Sequence, residues 1–196
     1  MDRKAVRMKN TVVVFARAPR LGTVKRRLAR DIGDRQALRF HVATLVRLLR
    51  SLRADRTFRT VLAIAPDRTK VRLPWPHPLL PQGFGDIGQR MDRACRRFTR
   101  GNVAIVGCDI PAACAADARA AFKAMGSAQA VFGPAEDGGY WLVGMGPRRP
   151  ARPFANARWS SEHALKDTLV NFAGREIAQL RTLRDVDTVA DLPSRR

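Results

Sequence analysis

The chain has 196 residues, of which 45% are hydrophobic and 28% are charged, so it is long enough for one domain with a sizeable core and short for two. Its 37 Lys and Arg residues against 17 Asp and Glu residues give a formal net charge of +20. The composition is that of a soluble globular protein, and no apolar segment of the sequence approaches the length of a membrane span.

The basic excess raises the question of nucleic-acid binding, because clustered cations gain affinity by releasing counterions from phosphates. The cations are instead spread from Arg3 to Arg196, and dense pairs such as Arg26-Arg27 and Arg96-Arg97 fall within predicted helices. We therefore predict a solvated, Arg-rich surface, with no nucleic-acid partner despite the charge.

The cysteines Cys95, Cys108 and Cys114 form neither a CxxC pair nor a zinc-binding spacing. An odd number of thiols is typical of a reducing compartment. The basic amino terminus is followed by an apolar run over 11–16 that is too short for a signal-peptide core. We predict a cytoplasmic protein, folded as a single domain over residues 1–196.

The first strand is predicted over 11–16, where β-branched residues are bounded by charge. A Pro/Gly loop follows, and Thr23 is the predicted N-cap of a short helix. Apolar residues at helical spacing predict a longer helix over 34–52, and 60–65 predicts the second strand. Four prolines make 72–81 an extended loop or an edge strand.

A helix is predicted over 86–98 with Asp86 at its start, and it leads to an apolar strand over 103–106. The lack of alternation in that strand is typical of burial on both faces, as in the middle of a helix-covered sheet. Pro111 cannot extend the strand, so Asp109 is predicted at its carboxyl end, where open α/β sheets form their ligand crevice.

The second half continues the alternation of helices and strands. The predicted elements are a helix over 115–125, strands over 128–132 and 140–143, a helix from Ser160 or Ser161 to Phe172, a short strand over 177–180, and a final helical turn. The alternation predicts an α/β fold of three layers, a mainly parallel mixed sheet with helices on both faces.

The first loop, 17–22, is followed by a cationic helix start, and free amides with a helix dipole form a natural phosphate cradle. Arg17, Lys25 and Arg27 can add charges and bidentate contacts to a diphosphate. These residues are equally compatible with an ordinary cationic surface at a strand-to-helix turn.

Residues 83–88 satisfy the pattern GxGxxG, but a dinucleotide fingerprint needs a buried strand before it and here a proline-rich loop precedes it. The interpretation left is a tight loop in which Gln82 and the glycine backbone approach a flat ligand such as a base. For Asp86, a plain helix cap is the alternative.

Asp109 has two interpretations, a turn carboxylate bound to nearby amides and a metal ligand. A second acidic cluster, Asp185 and Asp187, can supply another ligand to the same ion. One or two carboxylates, with substrate phosphates and water, suffice for Mg²⁺.

The loop at 136–141 combines acids, glycines and aromatic residues. It can admit a sugar or acceptor, with Asp137 binding hydroxyls or acting as a base, or it can be a plain hairpin turn. Trp159 and Ser160 can form a wall of the same cleft. For Trp159, a place in the hydrophobic core is the alternative. His41, on a predicted helix face, is interpreted as structural.

Taken together, several motifs in order resemble a small bacterial family of GT-A-type, glycosyltransferase-like proteins. These motifs lie at 15–19 with Gly22, Lys25, Arg27 and Leu28, then at 82–91, 106–111, 136–144, 159–160, 185–188 and 191–192. The family is linked by name to arsenosugar biosynthesis and is related to cytidylyl- and guanylyltransferases. The sequence departs from the usual pattern at Arg26, Cys108, Ala112, Ala113 and Val189.

The resemblance implies a nucleotide-diphospho-sugar transferase fold with a divalent metal, Mg²⁺ or Mn²⁺. It places the nucleotide phosphates at the first loop and the metal at Asp109. Together with the motifs above, the candidate catalytic residues are Asp109, Asp137 and Lys25, and the candidate metal ligands are Asp109 and Asp187. The nucleotide-sugar contacts expected from the motifs are Ala16, Arg17, Ala18, Gly22, Lys25, Arg27, Gln82, Gly83, Gly85, Asp86, Gly138, Gly139, Tyr140, Trp159 and Ser160.

Three functions follow as hypotheses. The first is metal-dependent transfer of a glycosyl group from a nucleotide-diphospho-sugar to a small acceptor. The second is nucleotidyl transfer, with an NTP as donor and pyrophosphate as product. The third, from another class, is a non-catalytic nucleotide or polyanion-binding protein.

Overall fold

The computed structural model describes residues 10–192, so the basic segment before Asn10 lies outside the described residues. The strands are β1 (Asn10–Arg17), β2 (Phe58–Ala65), β3 (Leu79–Pro81), β4 (Val103–Gly107), β5 (Ala130–Pro134), β6 (Tyr140–Met145) and β7 (Ile177–Gln179). The helices are α1 (Arg26–Ile32), α2 (Asp34–Ala54), α3 (Ile87–Arg96), α4 (Ala115–Ala124) and α5 (Ala164–Val170), with a 3-10 turn at Val189–Asp191.

The strands form one mixed sheet in the order β3-β2-β1-β4-β6-β5-β7. β1 pairs in parallel with β2 and β4, and β6 runs antiparallel to both of its neighbours, β4 and β5. β4 therefore lies in the middle of the sheet, as its uninterrupted apolar residues predict. The predicted α/β class and the mainly parallel mixed sheet are confirmed.

Side chains that alternate along β1 enter two different cores, because successive residues of a strand point to opposite faces. Val12 and Val14 pack in the cluster that holds the α2 leucines Leu45 and Leu49. Val13 packs on the other face, in the cluster that holds residues of α3. Helices therefore cover both faces, and only the edges of the sheet remain for a ligand.

Two predicted helix starts are wrong. Thr23 does not cap α1, because its hydroxyl donates to the carbonyl of Arg20 in the preceding turn and Lys25 is the N-cap instead. The helix predicted from Ser160 or Ser161 begins only at Ala164, because the Ser161 hydroxyl donates to the Arg158 carbonyl in a turn. In both cases a hydroxyl bonds the backbone before it, which competes with capping.

The other elements lie close to their predicted positions. The proline-rich segment contributes a three-residue edge strand, β3, paired with β2. β5 and β6 form the hairpin that was the alternative interpretation of the loop between them. Among residues 10–192, no helix combines the length and the apolarity that crossing a bilayer requires.

Phe132 lies in the hydrophobic core on the α3 side of the sheet, and its substitution tests that core. Its ring is fully buried and makes an edge contact with Phe172 at a centroid distance of 5.3 Å. We expect Phe132→Ala to lower the free energy of unfolding by about 3–5 kcal/mol, because it removes buried apolar surface and leaves a cavity. Phe84, which is 92% exposed, is the matched control, and Phe84→Ala should change it by less than about 0.5 kcal/mol. Equal effects in urea unfolding would contradict this assignment of the core.

Candidate active site at the carboxyl edge of the sheet

Asp109 follows the end of β4 by two residues and lies at the carboxyl edge of the sheet. The chain after β7 returns to the same edge, where the Leu183 amide donates to the Pro134 carbonyl. The Val186 amide then donates to the Asp109 carbonyl at 3.4 Å. These backbone contacts bring Asp185 and Asp187 beside Asp109, although about 80 residues of chain separate them.

Lys25 joins the two acidic segments. Its Nζ lies 3.1 Å from Asp109 Oδ1 and 3.0 Å from Asp187 Oδ1, and its side chain is 4% exposed. Arg27 adds a weaker contact of 3.4 Å to the other oxygen of Asp187. One buried ammonium therefore holds two carboxylates from distant parts of the chain.

The backbone of Lys25 adopts the left-handed conformation, with φ 47° and ψ 47°, at the N-cap of α1. This conformation costs free energy for a residue with a side chain, and such costs concentrate at functional sites. The residue with this conformation is the one whose side chain contacts both Asp109 and Asp187.

His41 contacts the same carboxylate from α2. It is almost fully buried, and its Nε2 donates to the Arg17 carbonyl at 3.1 Å, since a carbonyl oxygen only accepts. Its Nδ1 lies 3.8 Å from Asp109 Oδ1, and the two form an ion pair when the ring carries a proton on both nitrogens. His41 was interpreted as structural from the sequence, and its place beside Asp109 was missed because helix and loop are 68 residues apart.

The charges of this cluster support one another. Desolvation by the surrounding protein would raise the pKa of Asp109, but His41 and the Lys25 ammonium outweigh it and lower that pKa to about 2. Burial would lower the pKa of Lys25, but Asp109 and Asp187 raise it above its usual range. Both groups are therefore charged at neutral pH.

Asp185 behaves in the opposite way. Burial, followed by repulsion from Asp187 and Asp137, raises the pKa of its carboxyl above the ordinary value. The region beyond the Lys25 ion pairs is thus locally rich in negative charge.

A cleft of about 560 Å³ opens on the Lys25 side of Asp109. This volume lies within the range of sites for small molecules and cofactors. The cations that line the cleft are Arg17, Lys25, Arg26, Arg27 and Arg90. Only two acids, Asp109 and Asp187, are among the described residues that line the cleft. The cleft therefore has the net positive charge that favours a diphosphate.

A second, smaller cavity of about 230 Å³ lies on the other side of Asp109. Its apolar and aromatic walls include Met91, Tyr140 and Trp159, and its acids are Asp109, Asp137 and Asp185. Asp109 and Ile87 line both cavities. The carboxylate at the end of β4 therefore lies at the junction of two adjoining cavities.

The structure distributes the predicted site residues unequally. Those lining the first cleft are Ala16, Arg17, Lys25, Arg27, Gln82, Asp109, Ser160 and Asp187. Those lining the second cavity are Asp109, Asp137, Gly139, Tyr140 and Trp159. Those lining neither are Ala18, Gly22, Gly83, Gly85, Asp86 and Gly138.

Gln82 already has partners in the protein. Its amide nitrogen donates to the carbonyls of Ala16 and Ala63 at 3.2 and 2.7 Å, and its side-chain oxygen accepts from Arg90. It therefore satisfies carbonyls at the ends of β1 and β2 and orients an arginine of the cleft. Contact of Gln82 with a nucleotide base stays a prediction.

The glycine-rich turn before α3 is explained by backbone geometry. Gly83 and Gly85 have φ values of +75° and +97°, and Asp86 caps α3 by accepting from the Gln89 amide at 2.8 Å. The Gln89 side chain accepts from the Asp86 amide in return, which completes a capping box. These residues place Ile87 and Arg90 at the cleft.

Gly138 has a positional role in the β5–β6 hairpin loop. A Cβ at this position would lie 2.1 Å from the Glu162 carbonyl oxygen, and the Leu165 amide donates to the Gly138 carbonyl. The loop can therefore lie against the segment before α5 only if residue 138 lacks a side chain. This contact places Asp137 and Trp159 on the same cavity.

Two donor sets near Asp109 suit different metals. His41, Cys108 and Asp109 offer atoms within 4.8 Å of one another, but burial raises the pKa of the Cys108 thiol, so the thiolate that binds metals is disfavoured. Asp109 and Asp187 instead direct oxygens at one point, the Lys25 Nζ. Carboxylate oxygens are the hard ligands that Mg²⁺ and Mn²⁺ prefer, so this pair fits such an ion better than the set with the thiol does.

Several lining residues were missed by sequence reasoning. In the first cleft they include Thr23, Val24, Ile87, Arg90 and Cys108, and in the second they include Met91, Ile110 and Ala164. Helical spacing was the available signal for Arg90 and Met91, because both lie one turn after the α3 start. The others carry no local signal of a site.

The low pKa of Asp109 makes stability pH-dependent. The unfolded carboxyl titrates near pH 3.8 and the folded one near pH 2, so the unfolded state binds the proton first as the pH falls. The stabilisation is therefore complete above about pH 5 and disappears as the pH falls from about 4 to 2. We expect the difference in free energy of unfolding between the wild type and Asp109→Asn to shrink over this window.

The measurement is urea unfolding at a series of pH values, with Asp31→Asn as the control. Asp31 is exposed on α1 and forms no ion pair within residues 10–192. A wild-type advantage over Asp109→Asn that stays constant from neutral pH to pH 2 would contradict the assignment.

The fold is shared with solved transferases. A provisionally named nucleotide-diphospho-sugar transferase from Desulfovibrio desulfuricans G20 is 26% identical, with a TM-score of 0.84 over 93% of this chain and 84% of that chain. A cytidylyltransferase from Leptospira borgpetersenii serovar Hardjo-bovis is 13% identical, with a TM-score of 0.59 over 94% and 83%. The 4-diphosphocytidyl-2C-methyl-D-erythritol synthase from Anaerococcus prevotii DSM 20548 is 8% identical, with a TM-score of 0.58 over 93% and 94%.

The two more distant structures show the fold alone, and the predicted nucleotide-diphospho-sugar transferase fold is confirmed. The chain is glycosyltransferase-like, as the sequence resemblance implies. No curated protein matches the sequence. The family described as uncharacterised proteins conserved in bacteria, DUF2064, matches residues 48–161, which is more than half of the chain, and the protein is therefore a member of that family.

Proposed function

We propose that the protein transfers a glycosyl group from a nucleotide-diphospho-sugar in the first cleft to an acceptor in the second cavity. The observation that carries this proposal is Asp109, which lies at the junction of a cationic cleft and an acidic, aromatic cavity. A reaction between two bound molecules needs adjoining sites of this kind, because holding both reactants in place removes much of the entropic barrier.

The donor diphosphate would lie against the cations of the first cleft. Arg17, Arg27 and Arg90 line this cleft and can form bidentate contacts with phosphate oxygens. Lys25 is held by Asp109 and Asp187, so its ammonium is in position before the donor binds. The same cations stabilise the negative charge that develops on the leaving nucleoside diphosphate.

A divalent ion is part of the proposal, with Asp109 and Asp187 as its protein ligands. When bound, Mg²⁺ or Mn²⁺ supplies positive charge to the diphosphate of the leaving group. Residues 185–187 are brought to Asp109 by the Val186 hydrogen bond, so the second ligand depends on the fold of the tail.

The acceptor would bind with its hydroxyl near Asp137, which lies on the hairpin loop and lines the second cavity. The acceptor oxygen forms a bond to the anomeric carbon of the donor sugar, while the bond from that carbon to the β-phosphate oxygen breaks. The hydroxyl proton passes to Asp137 acting as a general base. The nucleoside diphosphate leaves with the electron pair of the broken bond.

Nucleotidyl transfer is the second candidate, favoured by the cytidylyltransferase neighbours of the same fold. In that reaction the acceptor attacks the α-phosphorus of an NTP and pyrophosphate leaves. The same cations would serve either donor, so the first cleft does not separate the two reactions.

The released product tests the proposal. We expect the purified protein with Mg²⁺ or Mn²⁺ to release a nucleoside diphosphate from a nucleotide sugar, and no pyrophosphate from the matching NTP. Asp109→Ala should lower this turnover by about 10²-fold or more, the scale for losing one positioned electrostatic group. Asp31→Ala, on the exposed face of α1, is the control. Release of pyrophosphate would instead assign nucleotidyl transfer, and unchanged turnover in Asp109→Ala would reject the site.

Nucleotide binding can be tested without knowing the acceptor. A nucleoside diphosphate with Mn²⁺ at about a hundred times its Kd adds about 2.7 kcal/mol, which for a chain of this size is a rise in Tm of roughly 5–10 °C. We expect Lys25→Met to lose most of this rise, measured against the Tm of the variant itself. Lys123→Met is the matched control, because Lys123 is exposed in the last turn of α4, which leads away from the site.

A non-catalytic polyanion binder predicts another outcome. Its affinity for duplex DNA would fall steeply with salt and would not change on chelation of divalent ions. Binding of this kind, without nucleotide-dependent stabilisation, would replace the enzyme proposal.

A further inference from the structure

The two adjoining cavities differ in the sign of their charge. Five of the residues that line the first cleft are Lys or Arg, whereas no Lys or Arg within residues 10–192 lines the second cavity. The second cavity is instead lined by Asp109, Asp137 and Asp185. In a chain with 37 basic and 17 acidic residues, a cavity with only acidic charges is a local reversal of the overall charge.

Two of these carboxylates form no ion pair in the described part of the chain. Asp109 is paired with Lys25, but neither Asp137 nor Asp185 forms an ion pair there. The nearest arginine in sequence, Arg184, is engaged elsewhere, at 2.6 Å from Asp191 and 3.8 Å from Glu136. Their negative charge is therefore presented to whatever enters the cavity.

The remaining walls are apolar and aromatic. Tyr140 and Trp159 line the cavity with ring centroids 6.3 Å apart and planes at 70°, so they form a corner. The Thr168 hydroxyl donates its hydrogen to the Ala164 carbonyl at 2.7 Å, so the Tyr140 hydroxyl, 3.4 Å away, donates to Thr168, which holds the ring in place. Aromatic faces of this kind bind the C–H face of a sugar ring, or an ammonium group, through their negative quadrupole.

The cavity is also small. Its volume of about 230 Å³ lies below the 300–1,000 Å³ that is typical for drug-sized ligands. The cavity therefore has room for one compound of about the size of a monosaccharide, or for the end of a longer one. A phosphate group here would face Asp137 and Asp185, which form no ion pair within residues 10–192, and like charges at close range repel each other.

We infer that the second cavity takes a small hydroxyl compound without negative charge, neutral or bearing an amine, and rejects phosphorylated acceptors. This inference rests on the proposed function, since it names the acceptor class of that reaction. It also bears on the choice between the two reactions. Formation of a nucleotide-diphospho-sugar from an NTP needs a sugar phosphate as acceptor, and this is the charge that the cavity disfavours.

Charged quenchers of tryptophan fluorescence test the premise. In a Trp75→Phe background, Trp159 is the accessible fluorophore, because Trp141 is 3% exposed. We expect caesium to quench more efficiently than iodide, although the protein as a whole is strongly basic. Asp185→Asn should reduce this preference, whereas Glu176→Gln should not, because Glu176 precedes β7 at the opposite edge of the sheet. If iodide quenches more efficiently than caesium in the Trp75→Phe protein with Asp185 unchanged, the inference is overturned.

Three compounds with one skeleton test the acceptor class, namely glucosamine, glucose and glucose 6-phosphate. Saturation-transfer NMR should show glucosamine and glucose bound, with glucosamine at least about tenfold tighter than glucose 6-phosphate, or about 1.4 kcal/mol. Asp185→Asn should narrow that ratio, and Glu176→Gln should preserve it. Equal or tighter binding of glucose 6-phosphate would overturn the inference, as would absence of binding by all three at millimolar concentration.

These outcomes are distinguishable from failure of the proposed function. Both measurements are made without nucleotide, so they report on the second cavity alone. If nucleotide and Mn²⁺ fail to stabilise the protein while the charge preference persists, the proposed reaction is wrong. If nucleotide stabilises the protein and the phosphorylated sugar is preferred, the acceptor class is wrong.

Discussion

The site depends on one buried ammonium between two carboxylates. Lys25 lies about 3 Å from both Asp109 and Asp187, and each carboxylate belongs to a different part of the chain. A buried lysine without partners would be strongly destabilising, and two acids this close would repel each other. The three charges stabilise one another, and the return of the tail to the Asp109 backbone brings the second carboxylate to the lysine.

This ion-pair cluster also separates the two cavities. On one side the cations of the first loop and of α3 face the cleft, and on the other side Asp137 and Asp185 face the cavity with aromatic walls. Lys25 lines the cleft but not the cavity, and no Lys or Arg within residues 10–192 lines the cavity. A donor and an acceptor of different charge can therefore be sorted by electrostatics before any contact specific to their shape.

The loops around the site have conformations that packing and hydrogen bonding within the protein explain, as well as any contact with a ligand. The GxGxxG turn serves a capping box that starts α3, and Gly138 permits close contact with the segment before α5. Gln82 satisfies strand-end carbonyls. Glycines and a glutamine at such positions are readily predicted to contact a ligand from the sequence. Much of their role is instead to hold the neighbouring Arg90, Asp137 and Trp159 in place.

The sequence by itself determined the α/β class, the central strand and the position of Asp109 at its end. These features depend on the spacing of apolar residues within one strand or helix, which consecutive residues of the sequence show directly. It also indicated Lys25 and Arg27 through the cationic helix start and Asp187 through the acidic cluster near the end of the chain. Only the tertiary structure decided that Lys25 holds both acids, that His41 contacts Asp109 and that Asp185 lines a second cavity. These are contacts between segments far apart in the chain, and their energies depend on burial and distance, which no local pattern records.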